Sequence, residues 1–341
     1  MEARLQGVIV KDKPKKNDLA ESLLVSLIDL NPQTEDFLTA VMDGLSAATK
    51  ALPCKFFYDE NGSRLFERIC SLKEYYPTRT EISILEESVA EIAELVGRGA
   101  HLIELGSGAS VKIRTLLNAL PDLAQYTAVD ISRDFLLQSA VTLASDYPDL
   151  DVAAVCADYT KPFQLAVPQN RKSVRNVAFF PGSTIGNFTP DEAENFLAGL
   201  TGVLGSGSGL LIGVDLKKDA DILHAAYDDA DGITAAFNLN LLSRINRELG
   251  ANFDLNTFRH RAVYSEDLSR VEMHLVSQKS QIVTIANKSF NFAAGEHIHT
   301  ENSHKYSVSD FRRLCSKAGY VPVSSWTDRN DQFSVHYFTA K

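Results

Sequence analysis

The sequence predicts an α/β protein, a doubly wound parallel sheet with a second, inserted α+β unit. An apolar run, His101–Leu105, breaks into the glycine turn Gly106-Ser107-Gly108 and then into a helix-compatible stretch through Leu117. Between residues 82 and 215 short apolar runs alternate with segments of helical periodicity, the pattern of parallel strands joined by crossover helices. After Asp215 that alternation stops and period-two stretches follow one another, which marks a separate unit.

Taken in order, residues 1–18 include the charged, proline-bearing KDKPKKND and read as a flexible leader. The spacing of Leu23, Leu24, Leu27 and Leu30, and then of Phe37, Val41 and Leu45, predicts two amphipathic helices divided at Pro32. Residues 55–81, KFFYDENGSRLFERICSLKEYYPTRTE, are rich in aromatics but broken by Asn61-Gly62 and Pro77, so a turn, a helix and an extended segment are expected. Helices follow at 82–97, 110–119, 133–145 and 189–204, and strands at 101–105, 125–130, 151–158, from 176, and in LLIGVDL after the GSGSG turn. Helices are then expected at 217–230 and 233–249, and antiparallel strands at 257–265, 269–278 and 280–292. A helix at 309–318 and strands at 320–326 and 332–339 complete the edge of the sheet. One unit therefore comprises 80–215 with 306–341, and the other 19–79 with 216–305.

The chain has 341 residues, 45% hydrophobic and 23% charged, with a formal net charge of -10. That balance argues against a nucleic-acid binder, which usually carries a basic face. Cys54, Cys70, Cys156 and Cys315 show no metal-ligand spacing and read as buried thiols of a reducing compartment. No run is long and apolar enough to cross a membrane, and the N-terminus lacks a signal-peptide core. A cytoplasmic monomer with no nucleic-acid or membrane partner is expected.

Glycine removes the Cβ where the backbone turns sharply and approaches a ligand, and a new helix N-terminus favours electron-rich groups. The turn at 106–108 should therefore hold a nucleotide-like cofactor. A nicotinamide site would carry a third glycine, where this chain has Val111. Asp130, ending the second strand, is placed to accept from ribose hydroxyls. Asp158, ending the third, is placed to accept from an adenine amino group. With the E-x-G-x-G turn, these match a Rossmann-like class I methyltransferase domain that binds S-adenosylmethionine.

Longer strings narrow the match. FFYDENGSRLFERI, EYYPTRTE, ELGSGASVK, FPGSTIGNFTP, AYDDADGITAAFN, INRELGANFDL and FAAGEHIHTENS occur in order from about residue 50 onward. Together they resemble the histidine-specific Nα-methyltransferases of ergothioneine biosynthesis. The resemblance implies three successive methylations of L-histidine by S-adenosylmethionine, giving hercynine, and a second domain that supplies much of the substrate pocket. It implies that Gly106 and Lys112 lie in the cofactor turn, that Asp130 binds the ribose, and that Asp158-Tyr159 flank the adenine. Tyr58 and Tyr75 would sit near the substrate amine and imidazole. Asn187 and Tyr227 would hold the amino-acid backbone, and Met273, Glu301 and Ser303 would surround the imidazole. Tyr58 and Asn187 are the residues expected to serve catalysis, and Glu301 to set specificity, since a carboxylate facing an imidazole N–H makes a charge-assisted hydrogen bond.

His297, His299 and His304 form an H-x-H-x4-H pattern, but neither an accompanying ligand set nor methyl transfer asks for a metal, and none is expected. A methyltransferase of a related scaffold acting on prenylated tryptophan, a non-catalytic adenosyl-binding module and a nicotinamide oxidoreductase are the competing readings. The polar pair Glu301 and Ser303 speaks against an indole.

Overall fold

A computed structural model of the protein describes residues 25–30, 37–108, 111–165 and 175–341. The expected leader, Leu23, Leu24, Pro32 and Ala109-Ser110 lie outside the described residues.

An eight-stranded sheet organises the molecule. Its strands are β1 (Val25–Asp29), β2 (His101–Leu105), β3 (Gln125–Asp130), β4 (Val152–Cys156), β5 (Asn176–Phe180), β6 (Gly209–Asp215), β12 (Tyr320–Thr327) and β13 (Phe333–Ala340), in spatial order β1-β4-β3-β2-β5-β6-β13-β12. Neighbours from β1 through β6 are parallel, and β13 is antiparallel to both β6 and β12. The order runs one way from β2 through β3 and β4, and the other way through β5 and β6. The crevice between the carboxyl ends of β2 and β5 is thus a topological switch point, where ligands of open α/β sheets bind.

The strands β2 and β4 are buried throughout, as parallel strands covered on both faces must be. Helices α3 (Tyr76–Val96), α4 (Val111–Ala119) and α5 (Arg133–Asp146) belong to one apolar cluster, with Ile84, Ile113, Leu116 and Leu136 fully or almost fully buried. Helices α6 (Pro190–Leu204) and α9 (Val308–Lys317) belong to the cluster that also contains Phe180, Leu197 and Phe311. The Thr-Pro-Asp-Glu start of α6 forms a capping box, Thr189 and Glu192 each bonding the other's backbone N–H.

A third cluster joins the early helices to the segment after Asp215. It contains α1 (Phe37–Ser46), α2 (Glu60–Cys70), α7 (Ala220–Tyr227) and α8 (Ile233–Leu249). Packed with them are a three-stranded sheet, β11 (His297–His304), β8 (Arg270–Ser277) and β7 (Phe258–Ser265), and the hairpin β9 (Gln281–Ile285) with β10 (Lys288–Phe292). Phe57 and Phe237 meet within it, tilted, at 4.6 Å between centroids.

Several expectations are corrected. The first predicted helix is β1, which lies parallel to β4 with Val25 opposite Val152 and so joins the large sheet. A run this short fits a strand as well as a helix, and pairing satisfies the edge of β4. The segment 280–292 is a hairpin, turned at Ala286 and Asn287, both at positive φ. Asn61-Gly62 is not a turn but the first turn of α2, where Asp59 caps the helix by accepting the Gly62 N–H at 2.7 Å. Gly62 is required there, since a Cβ would sit 1.7 Å from the Phe57 carbonyl oxygen. Helix α3 starts at Tyr76 rather than 82, because Pro77 occupies the position where a missing N–H costs nothing. The expected helix 217–230 is confined to α7. Strand β11 was not anticipated from periodicity.

Candidate active site

The glycine turn lies at the carboxyl end of β2. Gly106 has φ +75, and its N–H bonds the Val129 carbonyl at 2.9 Å, tying the turn to β3. A Cβ on Gly106 would approach the Tyr159 hydroxyl at 3.8 Å, so this tyrosine lies over the turn. Asp130, at the end of β3, accepts the Ser132 N–H at 2.9 Å and is also bonded by the backbone N–H groups of Ser107 and Gly108. Burial raises its pKa, and those amides pull it back. Asp158, after β4, accepts from the N–H and hydroxyl of Thr160 at 3.1 and 2.5 Å. The Ser107 hydroxyl is buried without a hydrogen-bond partner among the described residues. Lys112, on α4, pairs at 2.6 Å with the fully buried Glu81, whose carboxylate also accepts the Gly182 N–H. The ion pair thus binds α3, α4 and the loop after β5 to one another. Glu104 of the E-x-G-x-G turn faces away from solvent and accepts from the Tyr126 hydroxyl at 2.5 Å; burial pushes its pKa up to about 8.

The second half of the site opens beside this cradle. Tyr58 follows a short 3-10 turn, Cys54–Phe57, and its ring packs edge-on to Phe66 and Phe237. Tyr75 lies at the start of α3, edge-on to Phe66 and to Tyr227 at the end of α7. Burial, and secondly the Glu301 charge, holds the Tyr58 hydroxyl far above its usual pKa. Burial, and then Tyr227, does the same for Tyr75. Tyr58 is also coupled electrostatically to Tyr159, so the two halves adjoin.

Asn187 closes a 3-10 turn, Thr184–Asn187, that follows the left-handed Ser183 (φ 59). That turn packs tightly on β11: a Cβ on Gly186 would lie 2.8 Å from the His304 carbonyl oxygen. Strand β11 carries Glu301 and Ser303, opposite Met273 and Val271 of β8. The register shifts between His299 and Glu301, with Thr300 the extra residue. Residues directly opposite share a face, so Ile298 lies with Leu275, Glu301 with Met273, and Ser303 with Val271. Without the bulge, Glu301 would point to the opposite face from Ile298. The bulge therefore delivers Glu301 and Ser303 to the apolar cluster beneath the sheet.

Glu301 is half-buried. Burial pushes its pKa up to about 7, with Lys305 pulling it back. Its carboxylate accepts no hydrogen bond from the described residues, and neither the Asn187 carboxamide nor the Tyr58 and Tyr75 hydroxyls have a hydrogen-bond partner among them. Tyr227, by contrast, shares a 2.7 Å bond with Ser303.

Tyr58, Tyr75 and Tyr227 pack with Phe66 and Phe237, Tyr227 bonds Ser303, and Tyr159 lies over the Gly106 turn. Asp215 and Lys305 were missed. Asp215, at the end of β6, is fully buried and pairs with Lys305 at 2.6 Å and Lys218 at 2.5 Å. Lys305 stands at period two from Glu301 and Ser303, the one signal that could have found it. The histidines lie elsewhere. His274 meets His297 and His299 at 4.8 and 5.2 Å between ring centroids, on the other face of β8 and β11. No cluster of metal-ligating side chains occurs among the described residues.

Comparison with known proteins establishes the family of the chain. The model of the histidine-specific, S-adenosylmethionine-dependent methyltransferases matches residues 37–340. A histidine N-alpha-methyltransferase of Mycolicibacterium smegmatis is 42% identical over 300 residues, covering 86% of this chain and 92% of that protein. One from Mycobacterium tuberculosis is 40% identical over the same shares of each chain. Ergothioneine biosynthesis protein 1 of Neurospora crassa is 35% identical, covering 84% of this chain and 33% of its own length. The chain belongs to the family of histidine-specific, S-adenosylmethionine-dependent methyltransferases.

Proposed function

We propose that this protein is an L-histidine Nα-methyltransferase that adds three methyl groups in succession, giving hercynine for ergothioneine biosynthesis. The observation that carries the substrate is the half-buried Glu301 carboxylate, which accepts no hydrogen bond from the described residues. A partly desolvated carboxylate without a hydrogen bond gains from a ligand that supplies one, and an imidazole N–H does so. The enzyme acts in the cytoplasm on this reading. Among the described residues no helix is long and apolar enough to cross a membrane.

The cradle fits the methyl donor. The Gly106 turn leaves the backbone bare beneath Tyr159, Asp130 offers a carboxylate beside it, and the Ser107 hydroxyl has no partner among the described residues. Gly106, Lys112, Asp130, Asp158 and Tyr159 would hold this donor, Lys112 by fixing the loops around it through Glu81. The bound donor supplies an electrophilic methyl whose carbon–sulfur bond breaks, the electron pair remaining on sulfur. We assign the donor to the unit 80–215 with 306–341, joined by β1, and most of the substrate pocket to 37–79 with 216–305.

The attacking amine must be neutral, and an α-amino group titrates near 8, so a strong base is not needed. Tyr58 stays a neutral phenol because its pKa is raised, so it orients the amine rather than taking its proton as a phenolate. Asn187 holds the carboxylate of the amino acid and the Tyr227 oxygen accepts from its amine, while Tyr75, Met273 and Ser303 line its ring. Holding the nitrogen lone pair in line is worth several kcal/mol of the barrier, about 7 at the lower end of well-oriented systems. The faces of Tyr58 and Tyr75 suit the growing ammonium cation. Incubation with S-adenosylmethionine and each amino acid separately, followed by mass spectrometry, tests the reading. Histidine alone should gain three methyl groups; methylation of tryptophan instead, or of nothing, sinks it.

A further inference from the structure

Lys305 is fully buried beneath the substrate pocket. Its ammonium lies 2.6 Å from Asp215 Oδ2, 2.9 Å from Tyr227 Oη and 2.8 Å from Ser303 Oγ, with the Tyr227 ring face 4.7 Å away. Burial opposes its charge, but Asp215 and Tyr227 more than offset that and hold it protonated. An ammonium has three N–H donors and no acceptor. All three are spent here, and Tyr227 and Ser303 must both receive them on oxygen.

This fixes the polarity of the hydroxyl pair. Two hydroxyl hydrogens remain, and one lies in the 2.7 Å bond between Tyr227 and Ser303. With the Tyr227 oxygen already receiving the ammonium, and a phenol the stronger acid, Tyr227 donates to Ser303 and the Ser303 hydrogen is left over. No described residue besides this network bonds Ser303 Oγ. Two residues away on the same face, Glu301 offers an acceptor with no donor. The pocket wall thus presents one donor and one acceptor, the complement of a neutral imidazole with one bare nitrogen and one N–H.

We propose that Lys305 is a positioning residue for substrate specificity, which sets the Tyr227–Ser303 pair as a donor to the bare ring nitrogen of histidine. Without the ammonium, Ser303 is free to turn its hydrogen onto Tyr227 and present only lone pairs, which repel that nitrogen. Asp215 keeps Lys218 and the Tyr76 hydroxyl as partners, so Lys305→Met does not leave it unpaired. The inference rests on the histidine reading above.

A double-mutant cycle of Lys305→Met and Ser303→Ala tests it, read as KM for histidine at saturating S-adenosylmethionine. Binding of S-adenosylhomocysteine serves as the check on folding. Lys305→Met should raise KM about ten- to a hundredfold with kcat changed far less, and the double variant should lose no more than the worse single one. A multiplicative loss, or a KM for Lys305→Met within about twofold of wild type, overturns the role. If Lys305→Met does not bind S-adenosylhomocysteine, the same cycle is run on Lys305→Met with Asp215→Asn, which removes the ion pair as a unit. Wild type that leaves histidine unmethylated overturns the functional reading instead, so the two failures are distinct.

Discussion

The two halves of the site satisfy their polar groups in opposite ways. Around the glycine turn the carboxylates are already bonded by the protein: Asp130 by backbone N–H groups, Asp158 by Thr160, and Glu81 by Lys112 and Gly182. Across the pocket wall the side chains of Tyr58, Tyr75, Asn187 and Glu301 have no hydrogen-bond partner among the described residues. A cradle bonded in this way is rigid before its ligand arrives. A pocket lined with unspent donors and acceptors gains its partners from the ligand alone, and a ligand lacking the right groups leaves them buried and unpaired. That asymmetry is what makes hydrogen-bonded sites discriminate strongly.

Glu301→Ala tests the pocket side most severely. Loss of a charge-assisted bond to the ring should cost about 1.5–3 kcal/mol, roughly ten- to a hundredfold in kcat/KM for histidine. The affinity for S-adenosylhomocysteine should not change. Steady-state kinetics and calorimetry read the two separately; an equal loss in both would erase the distinction between the halves.

A second test uses pH. Burial raises Glu301 from 4.5 to about 7 while Lys305 opposes the rise; the other titratable groups facing it are Cys54, Tyr58, Tyr75 and Tyr227. A carboxyl whose folded pKa is raised contributes stability that is complete below its unfolded pKa and is lost as pH rises through the folded value. The free protein should therefore lose roughly 1–3 kcal/mol relative to Glu301→Gln between about pH 4.5 and 7. Histidine should recover much of that loss by pairing the carboxylate. Thermal melts of both proteins at several pH values, with and without histidine, decide it; parallel curves for the two would mean the carboxyl is not strained by burial.

The same difference explains what could be read from the sequence. The cradle is local or lies at strand ends: residues 104–112, Asp130 and Asp158 announce themselves by motif and by position after apolar runs. The pocket draws Tyr58, Asn187, Tyr227, Met273 and Glu301 from separate elements, and only a resemblance spanning the chain named them together. The bulge at Thr300 left no mark in periodicity, although it decides which face Glu301 occupies. Lys305 shares a period-two face with Glu301 and Ser303, but a lone lysine is ordinarily a solvated one, and its partner Asp215 stands far away in sequence. Strand β1 was missed because so short a run fits either period; what settles it is β4, whose edge it pairs.

The mildest test falls on the cradle. Gly106→Ala places a Cβ where the nearest atoms, on Tyr159, are 3.8 and 3.9 Å away, an ordinary contact. Steric room is therefore not the obstacle; the backbone at φ +75 is, and a side chain there costs about 1–2 kcal/mol. The turn can escape that strain by rotating the peptide whose N–H bonds Val129, which moves it away from Tyr159 and Asp130. Affinity for S-adenosylhomocysteine should then fall about tenfold, while KM for histidine at saturating donor stays near wild type. A calorimetric titration measures the first and kinetics the second. If the histidine KM moved as far as the donor affinity, the turn would be shaping the pocket as well, and the two halves would be one coupled site.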